Sequence, residues 1–97
     1  MWNPGKAKSI EGWTALVTGA GSKGLGREIA YELATQCKVA RLLLWDINAQ
    51  GLEDTVADLR QRGVKIPIES RVVNLADRAQ IYAGAQAIAG AVDLVRF

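Results

Sequence analysis

Histidine is absent from the 97-residue chain, which removes the commonest general base and metal ligand together. The single cysteine, Cys37, has no internal disulfide partner and reads as a small buried thiol in a reduced compartment. Aromatic residues are only 6% of the chain, and its 12 basic side chains are dispersed among 10 acidic ones, which excludes a basic, aromatic-laced surface for nucleic acid. No apolar run reaches the roughly 18 to 20 residues that span a bilayer, and the opening MWNPGKAKSIEG lacks the apolar centre of a secretory signal. A cytoplasmic location is expected.

What is present is an ordinary globular composition, 49% hydrophobic and 23% charged. The length allows one compact unit and no second domain. A polar N-terminal extension over residues 1–12 is expected to precede it, with the folded unit over 13–97.

The run from Trp13 to Thr18 is short, apolar and stopped by glycine, which suits a strand covered on both faces. GLGREIAYELATQ follows with Leu25, Ile29, Leu33 and the small Ala30 and Ala34 at helical spacing. Val39 to Trp45 is a second buried strand. A second helix packs Leu52, Val56 and Leu59 on one face, with Asn48 as N-cap and Gly63 ending it. A third strand is strongest over Glu69 to Val73, and Pro67 places it at a sheet edge or makes it start after the proline. Asp77 caps a third helix, with Gln80 completing a capping box and Ile81, Ala85 and Ile88 facing inward. VDLVRF begins a fourth strand at Val92. Strands alternating with helices predict a parallel α/β sheet joined by right-handed crossovers.

The densest signal is TGAGSKGLG, which places four glycines between Gly19 and Gly26. A phosphate can approach a backbone only where no Cβ holds it away, and the first turn of a helix offers it unpaired N–H groups and a partial positive charge. Gly19, Gly21 and Gly24 fit the G-x-G-x-x-G spacing between a strand and a helix. Asp46 ends the next strand about 20 residues beyond Gly26, where a carboxylate can accept from the hydroxyls of an adenosine ribose. No Gly-Lys-Ser/Thr ending is present, which sets the P-loop aside. The alternative is that these glycines only turn the chain and Asp46 only opens a loop.

ALVTGAGSKGLGREIAYELA followed by LLLWDIN resembles the opening of a classical short-chain dehydrogenase/reductase, in the hydroxysteroid and retinol dehydrogenase branch. The likeness runs from Trp13 to Val95. It implies the N-terminal portion of a Rossmann doubly wound parallel sheet, with about four strands, three helices and the order 3-2-1-4. Thr18-Gly19 and Gly24-x-Gly26 match the family loop with four residues between them, one more than usual, the extra residue being Ser22 or Lys23. The resemblance implies that Gly19, Gly24 and Gly26 line the pyrophosphate, that Leu25 sits beneath the cofactor, and that Asp46, with Ile47 beside it, binds the ribose. Asn74-Leu75 stands where the family has an Asp and an apolar residue against adenine.

For the cofactor, Asp46 favours NAD over NADP because a carboxylate repels a 2′-phosphate, whereas Lys23 sits where phosphate-preferring members carry a basic residue. The family's chemistry uses a serine and a tyrosine followed four on by lysine. Here Tyr31 is followed by Thr35 and Tyr82 by Gln86. The expectation is therefore an oxidoreductase by lineage that keeps the adenosine and pyrophosphate half, lacks the catalytic half and is inactive alone. The alternatives are a non-catalytic nucleotide-binding module and an inactive truncated isoform. A fourth strand left as a sheet edge would invite self-association or pairing with an intact homologue.

Overall fold

A computed structural model describes residues 11–21, 24–88 and 94–96 of the chain. Four parallel strands, β1 (Thr14–Thr18), β2 (Arg41–Asp46), β3 (Ile68–Val72) and β4 (Leu94–Arg96), form one sheet in the order β3-β2-β1-β4. This is the predicted order. Thr14 lies opposite Arg41 and Thr18 opposite Trp45, while Leu42 lies opposite Ile68 and Asp46 opposite Val72. Ala15 and Val17 pair with Leu94 and Arg96. Because all the strands run the same way, their carboxyl ends meet along one edge of the sheet, where a doubly wound fold places its ligands. The expected start of β4 at Val92 lies outside the described residues, as do the first ten residues of the expected extension.

The central strands are apolar between their end residues because both of their faces are covered. Successive side chains point to opposite sides. Ala15, Val17, Leu42 and Leu44 pack with Ala30 and Leu33 of α1 (Leu25–Thr35) and with Leu52 and Leu59 of α2 (Ala49–Gln61). Leu16, Leu43 and Trp45 face the other way, with Val73, and meet Ile81 and Ile88 of the α3 segment (helix Arg78–Ala87). β3 is an edge strand that starts after Pro67, whose carbonyl accepts from Leu42 N at 3.0 Å. Its Glu69 pairs with Arg41 of β2, and such charges along an edge discourage pairing with a foreign strand.

Each helix departs from its predicted packing face by one residue. In α1 the buried set is Gly26, Ala30 and Leu33, while Leu25 is 73% exposed and Ile29 and Ala34 are half-buried. In α2 Thr55 is buried between Leu52 and Leu59, and Val56 is only half-buried. In α3 Gly84 is buried against Trp45 and Ala85 is exposed. A Cβ at Gly84 would stand 2.9 Å from the Trp45 ring, so the indole takes the space a side chain would need.

The caps follow expectation with one change. Asn48 Oδ1 accepts from Gly51 N at 3.0 Å, and Gly63, at φ +93°, carries the chain out of α2. Asp77 Oδ1 accepts from Ala79 N at 2.9 Å, but Gln80 Oε1 accepts from Asn74 N at 2.9 Å and not from the cap residue's own N–H. The Asp77 N–H is already committed to the Asn74 carbonyl at 3.0 Å, which displaces the second half of the capping box.

Arg62 joins α1 to α2. Its guanidinium makes two bonds to Glu28, at 2.7 and 3.1 Å, and lies 3.7 Å from the centroid of the Tyr31 ring. The hydrogen bond from Arg62, aided by the charges of Arg62 and Arg27, holds the Glu28 carboxyl below its ordinary value of 4.5 against a smaller effect of desolvation. The folded chain thus keeps this carboxylate ionised at lower pH than the unfolded chain does, so the pair's contribution is fully present above pH 4.5 and is lost as pH falls through the lowered folded value. Glu28→Gln should flatten that limb of the stability profile and lower neutral-pH stability by the same small amount, because the pair is solvent-exposed. Urea melts at stepped pH and at two salt concentrations would show it.

Candidate functional site

The site is built at the carboxyl ends of β1, β2 and β3. Thr18 ends β1 and is buried, and Gly19 follows at φ +70°, the left-handed region where glycine is at no disadvantage. Ala20 N donates to the Trp45 carbonyl at 3.2 Å, which carries the turn across to β2. Gly21 is buried, and its N–H donates to Asp46 Oδ2 at 2.8 Å. Asp46 Oδ1 accepts from Asn48 N at 3.0 Å. The half-buried carboxylate therefore spans the glycine turn and the exit of β2, and each oxygen keeps a second lone pair for a further donor.

The helix that follows starts without a side-chain cap. Asn48 and Asp77 cap α2 and α3 with their side chains, whereas Gly24 at the start of α1 has none, and a Cβ placed there would meet no atom within 4 Å. Bare backbone thus faces open space at a positive helix end. Gly26 serves differently. A Cβ there would stand 2.2 Å from the Gly19 carbonyl oxygen, so this glycine lets α1 lie directly on the turn leaving β1. Ser22 and Lys23, the expected insertion and the expected basic residue, lie outside the described residues.

Three expected contact residues are exposed near the same edge: Leu25 in the first turn of α1, Ile47 just after β2 and Leu75 beyond β3. Val73 N donates to the Asp46 carbonyl at 2.9 Å and so holds half-buried Asn74, two residues beyond β3, near the exit of β2. Asn74 Oδ1 accepts from Ala76 N at 2.9 Å, which orients the amide and leaves one lone pair on that oxygen. Glycine turn, helix start, Asp46 and the Asn74-Leu75 pair thus share one edge.

Sequence reasoning missed three residues here. Thr55 is fully buried and its hydroxyl donates to the Ala20 carbonyl at 2.7 Å. Arg27 Nε donates to the same hydroxyl oxygen at 3.2 Å, while Arg27 Nη2 is buried and meets no acceptor. Gly51 brings α2 against the turn, since a Cβ there would lie 2.4 Å from the Gly21 carbonyl oxygen. The available signal was a hydroxyl at Thr55 on the face between Leu52 and Leu59, where a buried polar group requires a partner.

Elsewhere among the described residues the tyrosines and the cysteine lie apart from this edge. Tyr31 is half-buried beneath Arg62, and Tyr82 is exposed on α3. Cys37 is half-buried rather than buried, and its thiol is pushed above its ordinary 9.0 by desolvation and then by the Glu32 charge, the opposite of what an activated thiolate needs. Among the described residues there is no group of His, Cys, Asp and Glu able to hold a metal, and no helix is long and apolar enough to cross a membrane.

Residues 13–96 match the short chain dehydrogenase family, and the chain belongs to it. It is 46% identical over 79 residues to 17-beta-hydroxysteroid dehydrogenase 13 of Rattus norvegicus, an alignment covering 81% of this chain and 25% of that protein. Among solved structures it is similar to a short chain dehydrogenase/reductase from Burkholderia phymatum in complex with NAD, with a TM-score of 0.75 and 32% identity over 92% of this chain and 31% of that one. A metagenomic short-chain oxidoreductase in complex with NADP gives a TM-score of 0.72 and 27% identity over 91% of this chain and 39% of that one. The chain thus spans about a quarter of the length of the relatives it matches in sequence.

Proposed function

We propose that this chain binds the adenosine and pyrophosphate portion of a nicotinamide dinucleotide and serves an oxidoreductase whose proton-transfer groups lie outside these 97 residues. The observation that carries the reading is the bond from Gly21 N to Asp46 Oδ2 at 2.8 Å. It fixes a carboxylate against the glycine turn, beside the uncapped start of α1. The pyrophosphate would lie over Gly19, Gly24 and Gly26 on the backbone N–H groups of that helix start, with Thr18 and Gly21 shaping the turn and Ser22 and Lys23 in the same loop. Leu25 would support the cofactor from below. Asp46 would accept from the ribose hydroxyls, with Ile47 alongside, and Asn74 and Leu75 would flank the adenine.

When bound, the nicotinamide supplies hydride chemistry; this chain's residues orient the dinucleotide and hold its charge. Neither tyrosine has a lysine four residues on, which supports the reading that the acid-base groups are not among these residues.

NAD is favoured over NADP. A 2′-phosphate in contact with the Asp46 carboxylate would be repelled by on the order of 4 kcal/mol per unit charge near a protein surface, before salt screening. The charge of Lys23 offsets only part of that, because Asp46 addresses the distinguishing hydroxyl directly.

The test is thermal unfolding followed by tryptophan fluorescence, with Trp45 as a buried reporter. NAD at 100 times its dissociation constant should stabilise the fold by about 2.7 kcal/mol, raising the midpoint by roughly 10 to 20 °C for a chain of this size. NADP at the same concentration should raise it less. A midpoint that neither dinucleotide moves would overturn the binding reading, and equal shifts would overturn the preference.

A further inference from the structure

The peptide joining Ala20 to Gly21 is held at both ends. Its carbonyl accepts from the Thr55 hydroxyl at 2.7 Å, and its N–H donates to Asp46 Oδ2 at 2.8 Å. Thr55 is 0% exposed, so its hydroxyl has no water to turn to. That hydroxyl carries one proton, and Arg27 Nε, 3.2 Å away, donates to its oxygen. With a charged donor occupying a lone pair, the proton is directed at the Ala20 carbonyl. Gly51 closes the arrangement by letting α2 approach the next carbonyl, that of Gly21. Asp46, Gly51 and Thr55 therefore grip two successive peptide units of the turn from the second strand-helix unit.

We infer that Thr55 is a positioning residue for dinucleotide binding, acting through the Ala20–Gly21 peptide on the orientation of Asp46; this rests on the dinucleotide reading above. A peptide that precedes glycine can rotate at little steric cost, because Gly21 has no Cβ to resist it. The bond to Asp46 alone holds only its N–H side. Thr55 makes rotation unfavourable, since a flipped plane strands a buried carbonyl and a buried hydroxyl without partners. The consequence for function is that Gly21 N–H stays on Oδ2, and the carboxylate keeps its free lone pairs turned toward the site.

The inference is tested with Thr55→Val, which keeps the shape and removes the hydroxyl, and Thr55→Ser, which keeps the hydroxyl. NAD affinity is measured by calorimetry well below each variant's melting midpoint, and amide hydrogen exchange is compared at Gly21 and at Leu43 in the sheet core. Thr55→Val should weaken NAD binding by about three- to tenfold, the worth of one net hydrogen bond, and should speed exchange at Gly21 far more than at Leu43. Thr55→Ser should stay close to the native chain in both. Arg27→Met, which frees the hydroxyl to rotate without opening a cavity at position 55, should speed Gly21 exchange in the same direction and serves if Thr55→Val does not fold. Unchanged NAD affinity in Thr55→Val, or exchange that rises equally at Gly21 and Leu43, would reduce Thr55 to a structural role and overturn the inference. Failure of the native chain to bind NAD would overturn the dinucleotide reading and this role together, a result distinguishable from either of those.

Discussion

Gly26→Ala should lower the unfolding midpoint by about 10 to 20 °C and abolish the proposed dinucleotide binding. The added Cβ would stand 2.2 Å from the Gly19 carbonyl oxygen, 3.0 Å from its carbon and 3.2 Å from Ala20 Cα. All three are backbone atoms, so no rotamer change relieves the contact and α1 must move away from β1. Overpacking of this kind costs about 3 kcal/mol or somewhat more. The better helix propensity of alanine returns only about 1 kcal/mol, so the clash wins. At about 4 to 8 °C per kcal/mol, a domain of this size loses the stated interval. Gly24→Ala is the matched control, two residues away with no atom within 4 Å of its Cβ. It should leave the melt nearly unchanged while weakening NAD binding, because the new methyl would fill the open space where the pyrophosphate is proposed to lie. Scanning fluorimetry of the two variants side by side decides the matter, and a Gly26→Ala midpoint equal to that of the native chain would show that α1 does not rest on the turn.

Asp46→Ala should weaken NAD binding by about 100-fold, the loss of two charge-assisted hydrogen bonds of roughly 1.5 kcal/mol each. It also strips the acceptor from Gly21 N and Asn48 N, so a further destabilisation of about 1 to 3 kcal/mol is expected for the part-buried Gly21 amide. Asp46→Asn separates the two effects. It keeps an acceptor near Gly21 and removes the charge, so the fold should hold while the preference for NAD over NADP narrows. Dissociation constants for both dinucleotides, measured at one fixed ionic strength, give the comparison. Unaltered NAD affinity in Asp46→Ala would remove this carboxylate from the ribose site.

Much of the fold was legible because two periodicities carry it. Apolar runs at Ala15–Val17 and Leu42–Trp45 have no polar alternation, which only a sheet covered on both faces tolerates, and the helical stripes between them supply the cover. The helix caps followed, while the strand order came from the family resemblance. The helix faces were less legible, and for one reason. In α1 the buried residue is Gly26 beside the expected Leu25, in α2 Thr55 beside Val56, and in α3 Gly84 beside Ala85. Each is small or polar and contributes little to an apolar stripe, yet Gly26 and Gly84 sit where backbone or a large ring leaves no room for a Cβ, and Thr55 sits where its hydroxyl meets the Ala20 carbonyl.

The chain's own order of residues determined the alternation of strand and helix, the glycine turn after β1 and the acidic residue at the end of β2. These are local matters, decided by which side chains can be buried, which backbone conformations glycine permits and how far a strand extends before a charge stops it. The tertiary structure decided how the turn is held. Residues 25 to 35 positions apart meet there, Asp46 on the Gly21 amide and Thr55 on the Ala20 carbonyl, with Arg27 reaching Thr55 from another helix. No spacing in the sequence announces such bonds, because they exist only once α1 and α2 are packed on the same face of the sheet, with Gly26 and Gly51 each letting its helix close on the glycine turn.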